Sequence, residues 1–151
     1  MSKPQVPAGW TQITLPAGYL ERNGPLHARA EHGKLWLGFR VEHRHCNPAD
    51  NCHGGMLMTF ADMALVLTVR WTNPNTGMIP TVSLSGDFLA AAPVGSWIET
   101  SGEVLRATRN MCFVQGVAQA DGTPILRWSG IGKPVPAGSG PHFDLRKILG
   151  A

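Results

Sequence analysis

Apolar and polar positions alternate with a period of two in two neighbouring stretches. Leu26, Ala28 and Ala30 interleave with His27, Arg29 and Glu31, and Gly33 breaks the run. Leu35, Leu37, Phe39 and Val41 then interleave with Lys34, Trp36, Arg40 and Glu42. A period of two buries one face of a strand and wets the other, so these stretches predict a β-hairpin. His43 and His45 continue the apolar face of the second strand toward a polar loop over 46–55. From Gly55 to Trp71 almost every position is apolar, and Asn73-Pro74-Asn75-Thr76-Gly77 stops the run. That predicts a helix enclosed by other structure on most sides. Four more strands are expected at about 80–89, 95–107, 110–120 and 123–133. Asp121-Gly122 marks a two-residue hairpin turn and Thr108-Arg109-Asn110 a second turn.

The flanks read differently. Residues 1–25 are rich in Pro and Gly, end in Asn23-Gly24-Pro25, and predict loop with a short helix. The segment 134–151 carries Pro134, Pro136, Gly138, Gly140 and Pro141, and predicts an arm or mobile end. Between them, 26–133 forms one domain. The order strand, strand, long helix, then several strands implies an α+β architecture: an antiparallel β-sheet wrapped around one long buried helix. A single sheet leaves much of that helix uncovered, so a homodimer or homotetramer is expected.

Composition narrows the function classes. A chain of 151 residues, 43% hydrophobic and 15% charged, is one globular domain, too apolar for disorder. The formal charge is +3 and the pI about 9.0, without a Lys/Arg run. Nucleic acid is therefore not an expected partner, whereas a small anionic ligand suits the mild excess. Cys46, Cys52 and Cys112 are too few and odd in number for a disulfide framework. They fit a reducing compartment. The opening MSKPQVPAGWTQ has no apolar core and does not read as a signal peptide; a cytoplasmic location is the expectation. Thr59, Asp62 and Thr68 interrupt the run Met56 to Val69, so no membrane span is expected.

Asp62 is the informative exception in that run. An apolar helix rarely carries a carboxylate unless the group is paired or used. The helix is entered through His53-Gly54-Gly55, where backbone N–H groups can hold negative charge. An acid and an amide cradle on one element point to acyl-transfer chemistry. No GxSxG nucleophile elbow is present. His43, His45, Cys46, Cys52 and His53 invite a metal reading, but neither a CxxC pair nor an HExxH helix occurs, and no metal or other cofactor is expected.

The spacing Asn47-x5-His53-Gly54-Gly55-x6-Asp62, followed by Thr81-Val82-Ser83-Leu84 and Asp87-Phe88-Leu89, resembles the hotdog-fold acyl-CoA thioesterases. The branch it is most similar to is the phenylacetate-degradation (PaaI-like) type, and the resemblance covers about residues 25 to 133. It implies a hotdog fold and hydrolysis of a small acyl- or aryl-CoA thioester, CoA being part of the substrate. By position it implies Asp62 as general base or nucleophile, Gly54 as amide donor to the thioester carbonyl, and Asn47 as a positioning group. His53 and Gly55 would shape the loop, and Thr81 would assist water. The chain departs from the pattern twice. Pro48-Ala49-Asp50-Asn51-Cys52 lacks the glycine common in that loop, and Ala90 stands where a basic or polar residue is usual.

Each residue also has a plainer use. Asp62 could pair with an arginine, and Asn47 could build an Asx turn before Pro48. His53 reads better as a loop hydrogen-bonder than as a proton shuttle. Arg106 and Arg109, with Arg127 and Lys133, are candidates for the CoA phosphates, or ordinary surface charge. Trp36, Trp97 and Trp128 read as core or interface fillers. A non-catalytic acyl-CoA-binding protein of the same fold is the alternative function. An acyl dehydratase is disfavoured, because that chemistry sets a histidine against the acid. One geometric inference follows. Eight residues separate Gly54 from Asp62, about 12 Å along a helix at roughly 1.5 Å per residue. One carbonyl cannot touch both, so the expected site pairs Gly54 of one protomer with Asp62 of another.

Overall fold

The computed structural model describes residues 5–15, 18–138, 140 and 143–151. Its elements are β1 (Thr11–Ile13), α1 (Gly18–Asn23), β2 (Leu26–Glu31), β3 (Lys34–Arg40), α2 (Gly54–Thr72), β4 (Thr81–Phe88), β5 (Trp97–Ala107), β6 (Cys112–Ala120), β7 (Thr123–Gly132) and α3 (Leu145–Leu149). The strands form one antiparallel sheet of seven, ordered β1-β2-β3-β5-β6-β7-β4. α2 lies against one face of that sheet, contacting β3 to β7. This is the hotdog arrangement.

The local chemistry explains the hairpins. His32 and Gly33 both take positive φ, 50° and 76°, as do Asp121 and Gly122 at 47° and 88°. Two consecutive left-handed residues make the tight turn whose twist matches the strands it joins. Leu35, Leu37 and Phe39 on β3, and Val41 just beyond it, are buried against α2 as their alternation requires.

α2 carries its buried side chains toward the sheet, with Phe60, Ala61, Ala64 and Leu65 fully enclosed. Two glycines set how close the layers come. A Cβ on Gly102 would strike Thr68, and one on Gly130 would strike Leu65 and the Ser83 carbonyl. The opposite side of α2 is only half covered: Met58, Thr59, Asp62, Met63, Val66 and Arg70 recur at helical spacing along it. β4 runs beside this stripe at the sheet edge and leaves Val82 and Phe88 exposed at 52% and 55%. Among the described residues no helix is long and apolar enough to cross a membrane.

Three expectations fail. β3 stops at Arg40, and His43–His45 form a 3₁₀ turn. His43 is therefore exposed while His45 is buried, and the two do not share a face. The chain end is not a free arm. Asp144 caps α3 by accepting from the Lys147 N–H, Leu145 is 2% exposed, and the Arg146 guanidinium lies over the Trp71 ring. Of the proline- and glycine-rich tail, 139 and 141–142 lie outside the described residues. Finally, the N-terminal segment contributes a strand, β1, paired to β2 through Thr11↔Ala28.

Candidate active site

The loop before α2 builds itself around Asn47. Its side-chain carbonyl accepts from the Ala49 N–H at 3.0 Å and the Asn51 N–H at 3.3 Å, and its N–H donates to the Asn51 carbonyl at 2.8 Å. This is the Asx turn, with Asp50 in the left-handed region at φ 56°. The side-chain oxygen of Asn47 is thus engaged within its own loop.

His53 is the N-cap of α2. Its Nδ1 accepts from the Gly55 N–H at 2.8 Å, while its carbonyl accepts from Met56 and Leu57. A ring that accepts through Nδ1 carries its proton, when neutral, on Nε2. The cap has a second effect: Gly55 spends its amide on the histidine. Among the described residues no acceptor lies on the Gly54 N–H, which stays at the positive end of a 19-residue helix. The Phe88 ring sits close over Gly54, 3.3 Å from where a Cβ would stand.

Asp62 is half-buried on the uncovered stripe. Its Oδ1 accepts from the Thr81 hydroxyl at 2.7 Å. The structure therefore sets the hydroxyl that the resemblance assigned to assisting water directly against the acid. Among the described residues no arginine or lysine forms an ion pair with Asp62. β4 connects both ends of the site: Thr81 at its start meets Asp62, and Phe88 at its end meets Gly54. The acid and the open amide of one protomer stand eight residues apart on α2, about 12 Å at roughly 1.5 Å per residue.

The proposed phosphate contacts divide. Ala107, Cys112, Gly132 and Thr81 pair across the sheet in one row, so Arg106 and the turn holding Arg109 share a sheet end with Thr81. Three strand spacings separate them, roughly 14 Å at about 4.8 Å each. Lys133 donates its N–H to the Pro80 carbonyl beside Thr81. Arg127 is committed elsewhere, holding Asp87 through Nε at 3.0 Å and Nη2 at 2.8 Å. Trp97 and Trp128 are buried, and Trp128 donates to the Thr100 hydroxyl at 3.0 Å. Among the described residues no three His, Cys, Asp or Glu side chains gather as a metal-holding group.

One residue escaped the sequence reading. Tyr19, on α1, reaches across to Thr59 with its hydroxyl 2.9 Å from Thr59 Oγ1. α1 is fastened there: Arg44 donates to the carbonyls of Arg22 and Gly24, and His45 Nε2 contacts the Asn23 carbonyl at 3.0 Å. A cleft of about 310 Å³ opens between Tyr19, Asn23, His53, Gly55 and Met56. A six-residue, glycine-started helix is too short for any periodicity to signal this contact.

Comparison with known proteins agrees with this picture. Residues 49–124 match the thioesterase superfamily. A Pseudomonas aeruginosa protein named "Putative esterase PA0474" is 30% identical over 109 residues, spanning 72% of this chain and 81% of that one. A Streptococcus pneumoniae protein named "Hypothetical Thioesterase Protein", solved with coenzyme A, superimposes with a TM-score of 0.66 at 19% identity, covering 76% of this chain and 88% of the other. The Escherichia coli PaaI protein of the phenylacetic acid degradation operon gives 0.67 at 14% identity, covering 76% and 83%. On its fold and on these matches, the chain belongs to the thioesterase superfamily, whose members hydrolyse thioester bonds.

Proposed function

We propose that the protein hydrolyses a small acyl- or aryl-CoA thioester to the free acid and CoA, in a site completed by two protomers. The observation that carries this reading is the division of labour on α2. Among the described residues, Gly54 keeps an uncommitted amide at the helix entry, and Asp62, two turns on, holds a hydroxyl partner and no cation. Coenzyme A bound to the Streptococcus pneumoniae relative supports the thiol half of the substrate.

In this mechanism the thioester carbonyl accepts from the Gly54 N–H of one protomer. Asp62 of the other activates the attacking water or adds to the carbonyl itself. The amide and the helix end stabilise the charge that develops on oxygen as the C–S bond prepares to break. Thr81 fixes one carboxylate oxygen of Asp62 and leaves the second for water. The half-covered stripe of α2 and the exposed Val82 and Phe88 form the surface that a second protomer would cover. Arg106 and Arg109 would meet the phosphates of the CoA tail.

Release of free thiol from a panel of CoA esters tests the reading. The wild type should turn over at least one short acyl or aryl ester, and Asp62→Asn should lower kcat by about 10²-fold or more, as loss of a general base does. Tight binding of the ester without thiol release by the wild type would instead identify an acyl-CoA carrier.

A further inference from the structure

Cys46 and Cys52 face each other across the neck of the loop that leads into α2, joined in an isolated antiparallel bridge. The flanking hydrogen bonds define the kind of pair they make. The His53 N–H donates to the His45 carbonyl at 2.7 Å, and the Asn47 N–H donates to the Asn51 carbonyl at 2.8 Å. Cys46 and Cys52 exchange no bond with each other, so they occupy the non-hydrogen-bonded position, where Cα atoms approach to about 4.5 Å and side chains project to the same side. That spacing falls within the roughly 4.4–6.8 Å over which a disulfide closes.

We propose that Cys46 and Cys52 are a reversible disulfide site, oxidised by a small peroxide and closing the loop that carries Asn47. This inference stands apart from the reaction assigned above. The approach to the pair is built. Cys46 is half-buried and lines the cleft beside Tyr19, Asn23 and His53, whereas Cys52 lies behind it, 6% exposed. Each thiol now points only to a carbonyl, Cys46 to Glu42 at 3.4 Å and Cys52 to its neighbour His53 at 3.9 Å, and such weak contacts are readily exchanged.

The chemistry balances with hydrogen peroxide as the oxidant. Cys46, as thiolate, attacks one peroxide oxygen. The O–O bond breaks, the sulfur becomes a sulfenic acid, and the departing hydroxide takes a proton to leave as water. Cys52 then attacks that sulfur, the S–S bond forms, the S–O bond breaks, and a second water carries off the remaining thiol proton. Two thiols are oxidised by two electrons and one peroxide is reduced to two waters. Burial, and secondarily Asp50, push the Cys46 thiol up; burial, and secondarily Cys46, push Cys52 up to about 12. The bridge therefore builds slowly, under sustained oxidant.

Intact-mass measurement and non-reducing peptide mapping of the purified full-length protein, before and after hydrogen peroxide, test the proposal. The expected result is loss of the mass of two hydrogens, a single cross-linked pair Cys46–Cys52, one remaining free thiol at Cys112, and reversal by dithiothreitol. Cys52→Ser should instead gain oxygen at Cys46 without losing those hydrogens, and Cys112→Ser should still form the bridge. Three intact thiols after prolonged excess peroxide would overturn the proposal. So would oxygen added to Cys46 of the wild type with no cross-link, or a bridge through Cys112 or between chains.

Discussion

At the scale of single residues, the site is distinguished by which groups are already spoken for. The Gly55 amide is held by His53 and the Asn47 oxygen by its own loop, while the Gly54 amide has no acceptor among the described residues. Gly54 is the first residue of α2, and His53 before it has φ −61° and ψ 137°. Proline fits both conditions: it suits the first helical position, and it prefers an extended residue in front. Gly54→Pro should thus remove one N–H at little backbone cost, with the exposed Phe88 ring giving a few tenths of an ångström to admit the added Cβ. On the proposed mechanism kcat falls about 10²–10³-fold, the usual loss for an oxyanion donor; the circular dichroism spectrum should not change. A turnover rate equal to the wild type would place the donor elsewhere.

Two buried histidines give a second residue-scale expectation. His27 and His45 are 6% and 3% exposed, and both are held below the ordinary histidine value, His27 by burial and His45 by burial first and then by Arg44. Below about pH 6.5 the unfolded chain therefore binds protons that the folded chain refuses. Their contribution is intact above that pH and is lost progressively as pH falls below it. Melting midpoints should drop in that acid range, and His45→Gln should flatten the slope. An equal slope in wild type and variant would show that other groups set it.

At the scale of elements, α2 was legible from its long apolar run, and β2 and β3 from a period of two. Leu35, Leu37 and Phe39 sit where a period of two puts them, and Asp121-Gly122 turns as its backbone freedom requires. The motif named Asp62 and Thr81 separately, and their contact came only from the fold, which lays β4 beside α2. Short elements escaped. β1 has three residues and α3 five, too few for a period to declare itself, and tertiary contact holds them. His43 and His45 misled because alternation continues past Arg40 although the ladder to β5 ends there. Tyr19 escaped because its partner lies 40 residues away. α3 earns its place through Leu145, so Leu145→Ala should cost about 2 kcal/mol, the lower end for a buried leucine, in denaturant unfolding with an unchanged m-value. A loss under ~0.5 kcal/mol would mean the helix is not docked in solution.

At the scale of the whole molecule, one protomer holds an acid and an amide about 12 Å apart along α2, at roughly 1.5 Å per residue. The proposed assembly makes a strong prediction about mixtures. Asp62→Asn retains Gly54, and Gly54→Pro retains Asp62. Each alone is inactive on the proposed mechanism, yet a dimer with one of each contains one intact site and one doubly damaged site. Random reassociation of equal amounts should restore about a quarter of wild-type activity, since half the dimers are mixed and each has one of two sites. Activity that stays at the sum of the separate variants would mean that each protomer works alone.

The histidine cap has a last consequence, for inhibitors. By consuming one of two neighbouring amides, the imidazole leaves a single anchoring point for an incoming oxygen. A ligand held at one point is free to swivel, and its tilt must be set by the walls, the Phe88 ring among them. Ketone isosteres of the ester, with one oxygen, suit that geometry better than carboxylate or phosphonate mimics, whose further oxygens would find the neighbouring Gly55 amide already taken.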